Sequence, residues 1–372
     1  MGGDTSANHP VRVSWAKDSD NQRILDLSPR CAQSGMIRMY PDRSPVFNAL
    51  HKLIDPDSYH LMATAGDRVI GLLGTIHQPM YFKDQMLEMA YFMDFKVDPD
   101  YRNGLTAFRL VKPATERERA AGTRLGLATL LKNNDAPMAF TKGRGGFPAS
   151  LYLGDNRVFS FIPVRRLKTD PQFVIGVPAE PDIPEMVALY NKFYSTYRLA
   201  PRLSEETFRH YISRIDGLQL EHFLVARKEG RIVAAVALWD EHSFRRYWVT
   251  RPNLQIKMIS GLVNLLSHFT KVPEPVRSNQ PLKQLSLVLY AHDRSVEALG
   301  ALFRHANNLH FGGAYSLLQV QIHQDDPANA GLKGLTGISL YTEIHLFTDT
   351  IQLAREIQNT PGLMHLEFQN YV

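Results

Sequence analysis

Hydrophobic and polar positions follow two periods along this chain, and the order of those periods occurs twice. Residues 58–76, SYHLMATAGDRVIGLLGTI, and residues 221–239, EHFLVARKEGRIVAAVALW, each read as an apolar run, a tight turn containing Gly66 or Gly230, and a second apolar run. This is the pattern of a β-hairpin with one largely buried face. A constant offset of 163 residues aligns Leu61 with Leu224, Ala63 with Ala226, Arg68 with Arg231 and Leu73 with Val236. Helical spacing precedes the second hairpin, in Ile183, Val187, Tyr190 and Tyr194 and again in SEETFRHYISRI, which opens on Ser204 with Glu205 and Glu206 in its first turn. SPVFNALHKLI has the same character ahead of the first hairpin.

A longer strand, a helix and another strand follow each hairpin. In the first half they fall at 87–97, about 105–121 and 124–131; in the second at 284–291, over Val296, Leu299, Phe303, Ala306 and Leu309, and at 315–323. Matching Val97 to Ala291 raises the offset to 194, so the second half carries an insertion around the apolar helical stretch 256–269 and the proline-rich PEPVRSNQP. The pattern predicts an α/β (α+β) chain of two tandem domains, 1–170 and 171–372. Each is expected to be a mixed, mostly antiparallel sheet flanked by helices, with the seam in KTDPQFVIGVPAEPDIP.

Composition narrows the function classes. The 372 residues suit two domains, and 44% hydrophobic with 21% charged residues is ordinary for a globular protein. The net charge of +5 comes without a basic run or stripe, so no nucleic-acid partner is expected and only a mild preference for anionic small molecules follows. The lone Cys31 excludes an intrachain disulfide and any cysteine-built zinc or iron–sulfur site, and makes a reducing cytoplasm the simplest compartment. The first ten residues lack the charged and apolar regions of a signal peptide, and 256–269, broken by Lys257, Asn264 and His268, is too short to span a bilayer, so no membrane insertion is expected. There is no G-x-S-x-G, H-E-x-x-H, Walker or G-x-G-x-x-G motif, the 14 histidines are scattered, and no metal is expected.

The candidate chemistry lies at DFKVDPDYRNGLTAFRL, residues 94–110, where a strand runs through a short glycine loop into a helix. A helix N-terminus offers unpaired N–H groups and the positive end of the peptide dipole, which suits a pyrophosphate. Gly104 lets a ligand approach the backbone, Thr106 can cap or donate a hydroxyl, and Arg102, Arg109 and Lys112 add cations. Pro113 is expected to kink or interrupt the helix. The segment resembles the signature of GNAT-superfamily acyltransferases, a strand ending in V-x-P-x-[YF]-R before a pyrophosphate loop [QR]-x-x-G-x-[GA]. Val97, Pro99, Tyr101, Arg102, Gly104 and Leu105 match in type and order, with Arg102 and Gly104 one residue closer than usual and Thr106–Ala107 in place of the small residue. Element order agrees over 11–165, with a weaker copy over 172–348.

The resemblance implies acetyl-CoA or another acyl-CoA as substrate and an amine as acceptor. Phe95 and Val97 would lie along the pantetheine arm, Arg102, Asn103, Gly104, Leu105, Thr106 and Ala107 would hold the pyrophosphate, and Asn133 would either contact pantetheine or cap a helix. The second copy, YAHDRSVEALG, has Arg294 but no turn glycine, and Glu297 stands where phosphate would sit; a structural or acceptor-site role is expected for it. Acyl transfer needs a base, and the strand offers Asp94 and Glu88, with Tyr91 as a possible thiolate-protonating group. A regular strand would put Glu88, Asp94 and Lys96 on one face and Tyr91 on the other, unless a bulge re-phases them. Phe140 stands at the family's tyrosine position. Either Tyr152 or Tyr91 substitutes, the thiolate leaves unaided, or the chain is a catalytically silent acyl-CoA-binding or regulatory module. The apolar run MYFKDQMLEMAYFM suits either a channel for a long acyl chain, as in N-acyl amino acid synthases, or plain core packing. Oligomeric state is not legible.

Overall fold

The computed structural model describes residues 9–32, 37–102, 104–132, 138–143, 150–252 and 273–366. In the first half it runs β1 (Val11–Trp15), α1 (Asn21–Leu25), α2 (Leu27–Arg30), β2 (Ile37–Asp42), α3 (Ala49–Ile54), β3 (Tyr59–Ala65), β4 (Arg68–Phe82), β5 (Gln85–Val97), α4 (Thr106–Ala121), β6 (Leu125–Leu131), α5 (Met138–Thr141) and β7 (Leu151–Phe161). The second half runs β8 (Val174–Gly176), α6 (Ile183–Tyr194), α7 (Glu205–Arg214), β9 (Phe223–Lys228), β10 (Arg231–Trp239), β11 (Arg246–Pro252), β12 (Gln280–Pro281), β13 (Gln284–His292), α8 (Val296–Leu309), β14 (Leu317–His323), β15 (Gly337–Phe347) and α9 (Ile351–Asn359). Both hairpins form where the apolar alternation puts them. The inserted stretch 256–269 lies outside the described residues.

The two sheets expected from the sequence are joined into one sheet of twelve strands, ordered β1-β3-β4-β5-β6-β15-β7-β14-β13-β10-β9-β8. The order is symmetric about the β15–β7 pair, and each half closes with a strand of the other. Strand β15, from the second half, is antiparallel to β6, while β7, from the first, is antiparallel to β14. The exchange leaves neither β6 nor β14 as a bare edge in the middle of the molecule. A second link is the small sheet β12-β11-β2, in which Arg246 pairs with Asp42 and Trp248 with Tyr40.

One face of the first half is covered by α4, whose Leu110, Val111 and Ala114 pack on Leu61, Ala63, Ile70, Leu73 and Ala90. This contact holds the helix on both sides of Pro113, so α4 runs unbroken to Gly122, whose left-handed φ of 78° closes it. The expected interruption at Pro113 does not occur, because packing of the flanking stripe outweighs the lost hydrogen bond. The opposite face forms the main core. There Met80, Phe82, Leu87, Met89, Tyr91 and Met93 are all buried, so the methionine- and aromatic-rich run packs as core.

Candidate active site

Strands β5 and β6 are parallel neighbours only at Met89–Leu125, Ala90–Gly126 and Tyr91–Leu127. Beyond that point β5 continues to Val97 and β6 to Leu131 without pairing to each other, so the strands part and form a fork. A bulge lies in the parting arm. Gly74 faces Met93 but Leu72 faces Lys96, and Asp94 takes a left-handed φ of 52°. Such a conformation is costly for a residue other than glycine and recurs at sites where a side chain must be re-aimed.

The bulge re-phases the strand, which corrects the regular-strand expectation. Asp94 and Lys96 now lie on the face of Tyr91 and Met93, among groups that include Arg43 and His60. Glu88 stays on the α4 face, where it senses His77, Asp55 and Glu118. Burial raises its carboxyl above the usual range. Asp94 and Glu88 therefore stand on opposite sides of the sheet.

Asp94 sits in a buried charge cluster. Arg43 Nη2 is 3.2 Å and Lys96 Nζ 3.1 Å from its Oδ1, and His51 Nε2 is 4.0 Å from its Oδ2. Burial pushes the carboxyl up, but Arg43 and Lys96 outweigh it and hold the group well below the usual carboxylate range. Burial keeps His51 and His60 neutral, with His60 lowered to about 4. Asp94 Oδ2, both ring nitrogens of His51, His60 Nε2 and Arg43 Nε have no hydrogen-bond partner among the described residues. From the second half come Arg245 and Glu241, paired to each other, with Glu241 also accepting from Gln284 Nε2 at 2.9 Å and Ser286 Oγ at 3.3 Å. None of Arg43, His51, His60 and Arg245 was singled out from the sequence. They are distant in the chain and carry no motif spacing.

His51, His60 and Asp94 bring possible ligand atoms within 4.8 Å of one another, the geometry of a metal trio that the scattered histidines did not reveal. Arg43 and Lys96 already neutralise Asp94, so a divalent cation would be the third positive charge on one carboxylate. That charge balance disfavours a metal here.

Just past the C-terminal end of β5, Asp98 is held by Arg30 and Arg68 and accepts from the Asp100 amide, which fixes the turn before α4. Arg102 is exposed, and its Nε donates to Val97 O at 3.0 Å. Gly104 and Leu105 are exposed, Thr106 is buried and Ala107 half-buried. Among the described residues a Cβ on Gly104 would meet only Tyr101 O, at 3.8 Å, an ordinary van der Waals contact. Among the described residues no side chain caps α4, and its first turn holds no acid. By contrast α8 is capped by Ser295, whose Oγ accepts from the Ala298 amide at 3.2 Å, and carries Glu297 in its first turn. Asn103 and Asn133 lie outside the described residues.

Tyr91 reaches across the base of the fork, its hydroxyl 2.8 Å from Thr129 Oγ1, and burial pushes it up to about 12. Phe140 lies beside the fork, its ring 5.5 Å from that of Phe95 at the bulge and 4.9 Å from Phe108 in the first turn of α4. Tyr152 is more than half exposed and turns its hydroxyl to Asp155.

The second half repeats the bulge and the fork. Leu289 has φ 49°, and β13 pairs with β14 only from Gln284–Leu317 to Leu287–Val320. Its fork is filled. Met364, His365 and Leu366 enter it from the C-terminal segment and, with Tyr290, Asn156, Gln321 and Asp326, leave a cavity of about 10 Å³, room for about one water.

Beside Glu88, His77 bridges Asp55 at 2.9 Å and Glu118 at 3.2 Å, tying β4 to α4. These two bonds raise its imidazole to about 10. A raised histidine contributes stability fully below its unfolded value of roughly 6.5 and loses that contribution as pH rises through the folded value. His77→Gln is therefore expected to lower unfolding free energy at pH 7 by about 2 kcal/mol. The variant should also lose the wild type's stability decline between about pH 7 and 10. Denaturant titrations across that range check both.

No protein-family model matches the chain, and no curated protein matches it. Solved structures do match it in fold. Saccharomyces cerevisiae N-myristoyltransferase with bound myristoyl-CoA aligns at 13% identity and TM-score 0.60, over 93% of this chain and 84% of that one. A GCN5-related N-acetyltransferase from Kribbella flavida aligns at 12% identity and TM-score 0.50, over 92% and 72%. A conserved protein from Enterococcus faecalis V583, described as a probable N-acyltransferase, aligns at 10% identity and TM-score 0.50, over 90% and 72%. The chain shares its α/β fold with these transferase structures. Among the described residues no helix is long and apolar enough to cross a membrane.

Proposed function

We propose that this chain is an acyl-CoA-dependent N-acyltransferase, with the coenzyme held by the first half and the amine approaching from the β2–β11 side of the bulge. The observation that carries the reading is the fork of β5 and β6 leading to a helix N-terminus that no side chain caps among the described residues, beside a second copy whose fork is packed and whose helix is capped. Pyrophosphate would rest on the amides of 104–107 with Arg102, pantetheine along Phe95 and Val97, and the thioester at the fork. The amine nitrogen attacks the thioester carbon, the C–N bond forms, the C–S bond breaks and the thiolate leaves. A carboxylate held as low as Asp94 is a weak base for a free ammonium. It can take the proton of the far more acidic nitrogen in the tetrahedral adduct, so its part comes after attack. Tyr91, at the base of the fork, offers a hydroxyl to the departing sulfur; Phe140 has none to offer.

Acetyl is the acyl group we expect. A fatty acyl group is the alternative, since the yeast transferase of the same fold holds myristoyl-CoA. The phenyl ring of Phe140 beside the fork favours the second reading, a silent acyl-CoA-binding module. Labelled acetyl-CoA and myristoyl-CoA, each incubated with the protein and a panel of amines, separate these. Amide product with one donor supports the enzyme and fixes the acyl length; binding without product supports the module.

A further inference from the structure

The exchange of β7 and β15 brings together a serine, a histidine and a glutamate that play no part in the site above. Glu343 and His345 alternate on one face of β15, and Ser150 immediately precedes β7. His345 Nε2 is 3.0 Å from Glu343 Oε2, and His345 Nδ1 is 2.9 Å from Ser150 Oγ. The carboxylate can only accept, so Nε2 carries the hydrogen. In the neutral ring Nδ1 then holds the lone pair and accepts from the serine hydroxyl. The alternative acceptor for that hydroxyl, Thr141 O, is farther at 3.3 Å. This is the order of nucleophile, base and orienting carboxylate that activates a serine. His345 is only 4% exposed, whereas Ser150 is partly open to solvent.

The register puts His345 on the strand next to the fork, with Ser150 at the start of the following strand. His345 is paired with Ala128, the first residue of β6 beyond the last β5–β6 pair, Tyr91–Leu127. Facing antiparallel residues lie about 5 Å apart, so the imidazole is level with the point where the strands part. A bulge on β7 helps to aim it: Glu343 faces Asp155 while His345 faces Tyr152, and the extra residue includes Gly154 with φ 116°. Ser150 also touches Thr141, whose neighbour Phe140 packs on Phe95 at the bulge.

We infer that Ser150 is a nucleophile that accepts an acyl group from a thioester or activated ester and passes it to water. Its Oγ attacks the acyl carbon while its proton moves to His345 Nδ1. The C–S or C–O bond breaks, and the leaving thiolate or alkoxide takes that proton, leaving an ester on Ser150. Water then attacks the ester through the same imidazole, releasing the acid and restoring the serine. Glu343 acts as a positioning residue, holding the tautomer. For a thioester substrate the inference rests on the acyl-CoA reading above; for a simple ester it does not.

The full chain treated with p-nitrophenyl acetate, and separately with acetyl-CoA without amine, is quenched in acid and mapped by peptide mass spectrometry. A fluorophosphonate probe supplies a third label that needs neither coenzyme nor acyl chain. The expected result is modification at Ser150 by the ester and the probe, absent in Ser150→Ala and at least about tenfold slower in His345→Gln, with Ser150→Ala melting like wild type. Glu343→Gln should slow labelling less than His345→Gln does. Acetylation from acetyl-CoA extends the substrate to thioesters; its absence while the ester and probe still label Ser150 supports the serine as an esterase nucleophile and leaves the acyl-CoA reading to the amine assay. Equal labelling of wild type and Ser150→Ala, or no label on Ser150 from ester or probe, overturns the inference.

Discussion

Asp94→Asn is expected to destabilise the protein by about 3 kcal/mol, because it leaves Arg43 as a buried cation without a counter-charge. Arg43 and Asp94 expose only 7% and 5% of their side chains, so water cannot take over the lost pairing. The stabilisation from a depressed carboxyl is present above its unfolded value of about 4 and is lost as pH falls through the folded one. The acid limb of the wild-type stability curve should therefore flatten in the variant. Turnover should fall roughly a hundredfold, with the coenzyme dissociation constant little changed, since Arg102 and Gly104 lie beyond the strand end. Denaturant curves at pH 4 and pH 7, together with kcat and KM at a temperature where both proteins are folded, separate the structural loss from the chemical one. Unaltered stability would mean that Arg43 finds another partner; unaltered kcat would remove Asp94 from the reaction.

The second large effect concerns the joined sheet. Residues 1–170 expressed alone should not fold to a soluble monomer, and neither should 171–372. Each fragment lacks the strand that covers its centre: β15 is missing beside β6 in the first and β7 beside β14 in the second. The resulting edges carry unpaired backbone groups next to Phe159, Phe161, Leu346 and Phe347, all buried in the whole chain. Co-expression of the fragments should yield a soluble 1:1 complex with the circular-dichroism spectrum of the intact protein. Separately soluble, cooperatively melting fragments would show that the exchange is dispensable.

These two effects differ in how far the sequence announces them. The duplication was legible because local alternation and turn glycines repeat at Gly66 and Gly230, and every element of the core order appears where the period places it. The exchange was not. β7 and β15 carry the same alternating pattern, and nothing local decides which half a strand of that kind will close. At the site, the 94–107 segment was legible through its strand–glycine–helix order, and Phe140 could be placed beside it. The face of Asp94 was not, since one inserted residue reverses the phase of everything after it. Arg43, His51 and Arg245 reach Asp94 only through tertiary packing, and Ser150 meets His345 only through the exchange, at a sequence separation of 195.

We propose that one half of this chain holds an acyl-CoA and the other does not. Calorimetric titration with acetyl-CoA tests it most directly, run on the wild type and on Arg102→Glu and Arg294→Glu. Both arginines follow a bulged strand and precede a helix, but only Arg102 leads to an N-terminus that no side chain caps among the described residues. The expected result is one site per chain, weakened about tenfold or more by Arg102→Glu and unchanged by Arg294→Glu. Two equivalent sites, no binding, or a loss confined to Arg294→Glu would contradict the account.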